Sequence, residues 1–179
     1  MKPVSHRPGS GTVPKTLHLP WLALAVLATA VTLAAGAAHA DAPFVDNGDG
    51  TVTDTSTELM WDQCSAGLSE DGCATGIDTT YTWASALGLA ATQNAVNYKG
   101  YSDWRLPSVV ELNTLVKTDV GSPTIDTAVF PNTPASVFWS ASTYAPDPVY
   151  ARCLFFNSGS TGYDYKTNGN YVRLVRSGQ

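Results

Sequence analysis

Alternation of apolar and polar residues dominates the C-terminal part of the chain, from Phe138 to Arg176. A period of two residues places successive side chains on opposite faces of a sheet, so this pattern predicts strands. Turn-forming Gly, Asn, Asp and Pro residues divide the run into four expected strands: Phe138–Ser142, Tyr150–Asn157, Thr161–Lys166 and Tyr171–Arg176. The second half of the chain is therefore expected to be mostly sheet.

Two helices are predicted before this run. The apolar face of the first is formed by Trp83, Ala86, Leu87 and Ala90. Thr80 or Thr82 is its expected cap, and we expect it to end near residues 94–97. In the second, Ser108 and Glu111 have the spacing of a capping box, and Pro107 keeps the preceding residues extended. Its predicted buried stripe is Val109, Leu112, Leu115 and Val116.

An N-terminal hairpin is predicted around the stretch DNGDGTVTD, which begins at Asp46. Apolar pairing favours a four-residue loop, Asn47–Gly50, with Val45 opposite Val52 and Phe44 opposite Thr53. A short strand, Leu59–Trp61, follows, and residues 63–80 and 121–134 are expected to be loops. A hairpin and strand, then two helices, then a run of strands indicate an α+β fold with an antiparallel sheet.

Residues 1–40 have the layout of a secretory signal. An apolar run, Trp21–Ala38, ends in the small-residue sequence Ala38–Ala40. We expect cleavage there, which leaves residues 41–179 as a single exported domain in the periplasm, the medium or at the cell surface, with no membrane contact. An uncleaved run would be just long enough to cross a bilayer.

Charge and histidine content exclude several functions for residues 41–179. Three of the ten Lys and Arg residues and none of the fifteen acidic residues lie in the leader, so the remainder carries a formal charge of −8. Nucleic acid is therefore not an expected partner. All 3 histidines also lie in the leader. This excludes catalysis that depends on histidine, and zinc sites with histidine ligands.

The 3 cysteines predict one disulfide and one remaining thiol. In an oxidising compartment Cys64 and Cys73 are the expected pair, although three pairings are formally possible. Cys153 is then left to be buried, to pair with another chain or, as a third reading, to act as a nucleophile.

The acidic hairpin turn is predicted to be structural. An EF-hand loop needs Gly at its sixth position and Glu at its twelfth. Only a loop beginning at Asn47 places an acid, Glu58, at position twelve, and Val52 then occupies position six. Asp46 and Asp49 remain as the carboxylates at the tip. Weak calcium binding there is the alternative, and we predict no metal site or cofactor.

Aromatic residues divide into a predicted core set and a predicted surface set. Trp61, Trp83 and Trp104 stand among apolar neighbours and are expected in the core, with Arg105 in a structural ion pair. Residues 137–171 contain five Tyr, four Ser, three Asn and three Gly, a composition favoured in antibody loops. Turns and edge strands also use these residues. The candidate ligand residues are Tyr144, Tyr150, Asn157, Tyr163, Tyr165, Asn168 and Asn170.

Five stretches, in order, carry a family resemblance: FVDNGDGTVTDTSTELMW, GYSDWRLPSVVEL, IDTAVFPNTP, FWSAS and YVRLVRSGQ. They resemble the Lcl C-terminal domain family, which is grouped with C-type-lectin-like folds and is named for the end domain of a collagen-like adhesin. The resemblance implies a C-type-lectin-like fold. The family pattern has Cys in many members where this chain has Ala90 and Leu174, so apolar packing is expected to replace a bridge there. The Glu-Pro-Asn and Trp-Asn-Asp signatures of calcium-dependent sugar binding are missing.

These observations lead to a functional hypothesis. We expect a non-enzymatic recognition or adhesion domain that binds a protein or glycan through its C-terminal strands. The adhesin resemblance points to sulfated glycans, but the charge of −8 opposes that choice. The alternatives are a structural module that associates with its own copies and a cysteine-dependent enzyme of related fold.

Overall fold

The computed structural model describes residue 1 and residues 43–178. The predicted leader and its cleavage site lie outside the described residues. Within the described part of the chain, no helix is long and apolar enough to cross a membrane.

The described elements are two α-helices, two short 3-10 helices at Asp71–Cys73 and Tyr98–Gly100, and nine strands. All of the strand pairs are antiparallel. In the first half these are β1 Phe44–Asp46, β2 Thr51–Asp54, β3 Leu59–Asp62, β4 Leu68–Ser69, β5 Thr75–Gly76 and α1 Trp83–Ala95. In the second half they are α2 Val109–Asn113, β6 Val137–Thr143, β7 Tyr150–Phe155, β8 Ser160–Tyr165 and β9 Val175–Ser177. The predicted α+β class with antiparallel pairing is confirmed. The described strands form three sheets instead of the single sheet expected, and the small sheet β4-β5 lies where a loop is predicted for residues 63–80.

The first sheet has the strand order β1-β2-β3-β9 and joins the two ends of the domain. Trp61 lies opposite Val52 on β2 and opposite Val175 on β9, and all three side chains are fully buried. Opposed residues share a face of a sheet, so these three form one apolar stripe. They pack in a core with residues of α2 and β6–β7.

The predicted register of the first hairpin is wrong by one residue. Asp46 lies opposite Val52 and Val45 opposite Thr53. The loop is three residues long, Gly48–Gly50, because the N–H of Asn47 donates to the carbonyl of Thr51 (3.0 Å). Both of its glycines have positive φ, 76° and 80°, a conformation that glycine adopts without strain.

Burial of an aromatic ring explains this register. The Phe44 ring packs edge-on against Phe130, with centroids 5.2 Å apart. Phe44 thus faces the core, and its neighbour Val45 must point outward, where 51% of it is exposed. Pairing two valines could not compete with burying the larger side chain.

The second sheet has the order β6-β7-β8 and is covered on both faces along part of its length. Phe138 and Leu154 lie opposite each other and belong to the core shared with the first sheet. Trp139 and Cys153 form the next pair and face a second core beside α1. The predicted strands at β6, β7 and β8 are confirmed.

The last predicted strand is regular only at its end. Residues 171–174 precede β9, and only Val175 and Arg176 of the predicted segment belong to that strand. Single bridges link Asn170 to Tyr81 and Tyr171 to Phe138. This segment therefore connects the second sheet to the first.

Both helices begin where predicted. The Thr82 hydroxyl accepts from the N–H of Ser85, and α1 buries Ala86 and Ala90. Leu87, expected on the buried face, is 39% exposed. The partly buried Leu89 contributes to the second core in its place, because the helix packs on a face centred on the two small alanines.

α2 is short and strongly capped. Ser108 and Glu111 form the predicted capping box, in which each side chain accepts from the other residue's N–H. The helix ends at Asn113, so the buried Leu115 lies in the turn that follows the helix. Glu111 also binds both terminal nitrogens of Arg105, at 2.8 and 2.6 Å, which confirms the predicted ion pair.

The tryptophans occupy the expected positions. Trp61 and Trp104 are buried, and the partly buried Trp83 donates from Nε1 to the carbonyl of Ser140 (2.8 Å), joining α1 to β6. Ala90 and Leu174 are buried in the same apolar cluster. Apolar packing thus occupies the place of the bridge that the family resemblance implies.

Candidate ligand-binding surface

The second sheet brings four of the candidate tyrosines together. Tyr150 lies opposite Tyr165 across β7 and β8, so these side chains share a face with Tyr163, two residues away. Tyr144, just after β6, reaches the same face. Centroid distances are 4.2 Å between Tyr144 and Tyr163, 4.4 Å between Tyr150 and Tyr165, and 5.2 Å between Tyr150 and Tyr163. We name these four residues the tyrosine platform.

The platform is both ordered and accessible. Tyr163 and Tyr165 are 50% and 51% exposed, although rings of this size usually bury most of their surface. Mutual stacking restricts the rings, so a ligand that covers them has little side-chain entropy to remove. The neighbouring Tyr165 phenol raises the pKa of Tyr150 to about 12, so the Tyr150 hydroxyl stays neutral near pH 7.

A cation lies on the same face as the platform. Arg152 is directly opposite Tyr163 on β7. Among residues 43–178 its guanidinium has no hydrogen bond or ion pair. It lines a shallow cavity of about 250 Å³, whose other walls are Val109, Val110, Asn113 and Thr161. Sequence reasoning missed Arg152, although its spacing of two residues from Tyr150 placed both side chains on one face.

Two of the candidate asparagines support the turn after β8. Asp164, on the opposite face of β8 from the platform, accepts from Asn168 Nδ2 at 2.8 Å and from Asn170 Nδ2 at 2.9 Å. Asn170 is buried and bridges to Tyr81 through its backbone. Both side chains thus hold Asp164 and the turn in place.

The third candidate asparagine is remote from the platform. Asn157 is exposed in the turn between β7 and β8, whereas Tyr150 is at the start of β7. At about 3.3 Å per residue, the length of the strand separates the two by roughly 17 Å or more. The structure therefore brings the tyrosines together but not Asn157.

The acidic hairpin turn uses its carboxylates internally. Asp46 accepts from the N–H of Gly48 (2.8 Å), and Asp49 accepts from the N–H and hydroxyl of Thr51. The turn borders a cavity of about 510 Å³. Lys99 also lines it, and its ammonium binds Asp62 at 2.8 Å and the carbonyl of Gly50. These contacts account for the turn as a structural element.

The cysteines take the predicted arrangement. Cys64 and Cys73 form a disulfide, and Cys153 is free and fully buried. Burial raises the pKa of the Cys153 thiol to about 12. A nucleophilic thiolate needs the opposite conditions, exposure and a lowered pKa.

Sequence reasoning also missed a buried arginine that organises the loop after β3. Arg173 is fully buried, and its guanidinium donates to the carbonyls of Asp62 and Gln63 and to the hydroxyl of Thr133. Burial lowers its pKa to about 10. The guanidinium also lies over the Phe130 ring, at 4.8 Å. Its placement among apolar residues in the stretch VRLVR was the available signal.

Comparison with known proteins supports the resemblance. No curated protein matches the chain. The sequence model of the Lcl C-terminal domain matches residues 50–176, from the end of the first hairpin loop into β9, which is more than half of the chain. The chain therefore belongs to the Lcl C-terminal domain family.

Proposed function

We propose that this chain is an exported, non-enzymatic recognition domain that binds a protein or glycan ligand through the tyrosine platform. The observation that carries the proposal is the stack of Tyr144, Tyr150, Tyr163 and Tyr165 on one face of the second sheet, in which Tyr163 and Tyr165 are exposed. The disulfide is compatible with an oxidising compartment outside the cytoplasm. A C-type-lectin-like fold is part of the proposal.

Contact chemistry at the platform suits a ligand with a flat apolar face. Aromatic rings pack against the faces of sugar rings or against apolar and aromatic side chains, and phenol hydroxyls supply hydrogen bonds at the edges. Arg152, whose guanidinium has no polar partner among residues 43–178, lies beside Tyr163 and adds a donor for a ligand oxygen. The adjoining cavity of about 250 Å³ accepts a small protruding group.

A binding screen with matched variants tests the proposal. The purified protein is applied to a glycan and protein array, and bound spots are compared with those of the Tyr163→Ala/Tyr165→Ala double variant. Asn157→Ala is the control, since Asn157 is exposed in the turn between β7 and β8, remote from the platform. We expect the double variant to lose the ligand and the control to keep it. Full binding by the double variant would remove this surface from the proposal.

Salt dependence separates the platform from a charge-driven mode. A charge of −8 on residues 41–179 opposes polyanions such as heparin. We therefore expect no heparin retention, and ligand binding that changes little between low and moderate ionic strength. Tight heparin binding that weakens steeply with salt would instead indicate a local cationic site.

A further inference from the structure

β8 is the outer strand of the second sheet. All six of its residues, Ser160–Tyr165, pair with β7, and no strand of residues 43–178 covers its other side. Edge strands of stable monomers are usually protected by Lys, Pro or a bulge. The stretch from Ser160 to Tyr163 has none of these, and Thr161 and Tyr163 are exposed.

At two positions on this open edge, the main-chain N–H and C=O groups have no hydrogen-bond partner among residues 43–178. The N–H of Lys166 donates to the carbonyl of Val149 on the β7 side, at 2.9 Å. Hydrogen-bonding direction alternates along a strand, so Asp164 and Gly162 also face β7, whereas Thr161 and Tyr163 face outward. Within residues 43–178, the outward N–H and C=O of Thr161 and Tyr163 have no partner.

The next outward position is already closed. The N–H of Tyr165 donates to its neighbour Asp164 at 2.8 Å, and its carbonyl accepts from the N–H of Asn168 at 2.8 Å. The free edge is therefore limited to Thr161 and Tyr163, placed symmetrically about Gly162.

From this symmetry we infer that β8 pairs antiparallel with β8 of a second copy of the chain, about a two-fold axis through Gly162. Thr161 of each copy lies opposite Tyr163 of the other, and the two pairs exchange four N–H···O=C bonds. This register satisfies all free main-chain groups of Thr161 and Tyr163. It sets Asp164 against Ser160 of the second copy, so no carboxylate opposes another.

Side chains also suit this pairing. Opposed residues in an antiparallel sheet share a face, and an aromatic residue opposite a β-branched one is a favourable cross-strand pair. Thr161 and Tyr163 would form this pair twice. The result is a continuous six-stranded sheet, β6-β7-β8 followed by β8-β7-β6 of the second copy.

The dimer also determines how the two proposed ligand-binding surfaces are placed. Both tyrosine platforms lie on the same face of the continuous sheet, one on each side of the two-fold axis. A surface with repeated ligands could then engage both platforms, which raises apparent affinity without any new contact. This consequence rests on the proposed function, whereas the strand pairing does not.

Sedimentation equilibrium tests the pairing. The protein is purified in the form in which cells produce it. Thr161→Pro removes the outward N–H of Thr161 and none of the bonds between β8 and β7. Thr161→Ala keeps that N–H and is the matched control. Up to about 1 mM, the weak end of specific association, we expect the unsubstituted protein and Thr161→Ala to approach twice the monomer mass. We expect Thr161→Pro to stay monomeric. A monomeric unsubstituted protein, or a Thr161→Pro dimer, would overturn the inference.

A cross-linking experiment tests the register without proline. Thr161→Cys and Tyr163→Cys proteins are oxidised mildly, each alone and mixed. The native thiol Cys153 is buried and the other cysteines are bridged, so the new thiols react. We expect a covalent dimer to form fastest in the mixture, because only there do two new thiols lie opposite. Equal yields in the three samples, or no product in the mixture, would contradict the register.

Array binding keeps the two proposals separate. Thr161 is also a wall of the cavity beside Arg152, and Thr161→Ala changes the same wall, so it is the control here. Because both variants keep the four platform tyrosines, on a sparse array we expect Thr161→Pro to bind the same spots as Thr161→Ala. On a dense array the retention of Thr161→Pro should fall, because binding becomes monovalent. Loss of dimerisation with unchanged retention on dense arrays would retain the pairing and remove only the bivalent consequence.

Discussion

The ring of Tyr144 stacks on the ring of Tyr163 with centroids 4.2 Å apart and planes inclined by 20°. This contact joins the connection after β6 to β8, across the intervening strand β7. Tyr163 also meets the Tyr150 ring edge-on at 5.2 Å. This face of the second sheet is therefore held together by aromatic contacts between β7, β8 and the connection after β6.

Replacing Tyr163 should reduce stability modestly. Tyr163→Ala removes the ring contacts with Tyr144 and Tyr150, and because Tyr163 is 50% exposed we expect a loss of about 1–2 kcal/mol in the free energy of unfolding. Tyr163→Phe keeps the ring and should change it by less than about 0.5 kcal/mol. Urea unfolding measures both. Equal losses in the two variants would assign the effect to the hydroxyl.

Replacing Arg173 should reduce stability far more than replacing Tyr163. Arg173→Met leaves the buried carbonyls of Asp62 and Gln63 without these donors, and we expect a loss of about 3–5 kcal/mol in unfolding free energy. Arg152→Met is the matched control. The Arg152 guanidinium has no polar partner in the described residues, so its replacement should cost less than about 0.5 kcal/mol in unfolding free energy. Similar unfolding midpoints for the two variants would contradict this assignment.

Acid should remove the contribution of the ionised Glu111 carboxylate to the free energy of unfolding. The bond with Arg105 lowers the pKa of Glu111 from 4.5 to about 2. Its contribution is therefore complete above pH 4.5 and lost as pH falls towards 2. The Arg105 side chain is 42% exposed, so solvent screening reduces the contribution to about 1–2 kcal/mol.

Glu111→Gln isolates this contribution. We expect the variant to be less stable than the unsubstituted protein at pH 7 and the difference to shrink through pH 4 to 2. Urea midpoints across that range provide the measurement. A difference that stays constant with pH would show that the charge of Glu111 is not responsible.

Cys153 should be chemically inert in the folded protein. Full burial and a pKa raised to about 12 keep its thiol neutral and inaccessible at pH 8. We expect iodoacetamide to leave the native protein unmodified and to add one group after unfolding without reductant, as measured by mass spectrometry. Rapid modification in the native state would revive the nucleophile reading.

Interactions between residues close in sequence were predictable. The capping box of Ser108 and Glu111 and the bridge of Cys64 and Cys73 each join residues separated by nine positions or fewer. The Thr82 cap of α1 is also local. Such features depend on backbone geometry that a short segment determines for itself.

Features that depend on distant partners were not predictable from local patterns. The hairpin register follows from the contact of Phe44 with Phe130, which lies far along the chain. The burial of Leu89 on α1, instead of Leu87, likewise depends on the residues against which the helix packs. In both places the local pattern favoured one arrangement, but another arrangement buries more apolar surface against distant residues.

The sequence by itself determined the two α-helices, the longer strands and their order, but not the short β4 and β5 within residues 63–80. It also determined the shared face of Tyr163 and Tyr165, because the period of a strand is two residues. Only the tertiary structure decided that Tyr144, Tyr150 and Arg152 join that face, that Asn170 is buried and that Asn157 lies at the far end. The physical reason is that strand neighbours and register are chosen by burying side chains distant in sequence, and no local pattern contains that choice.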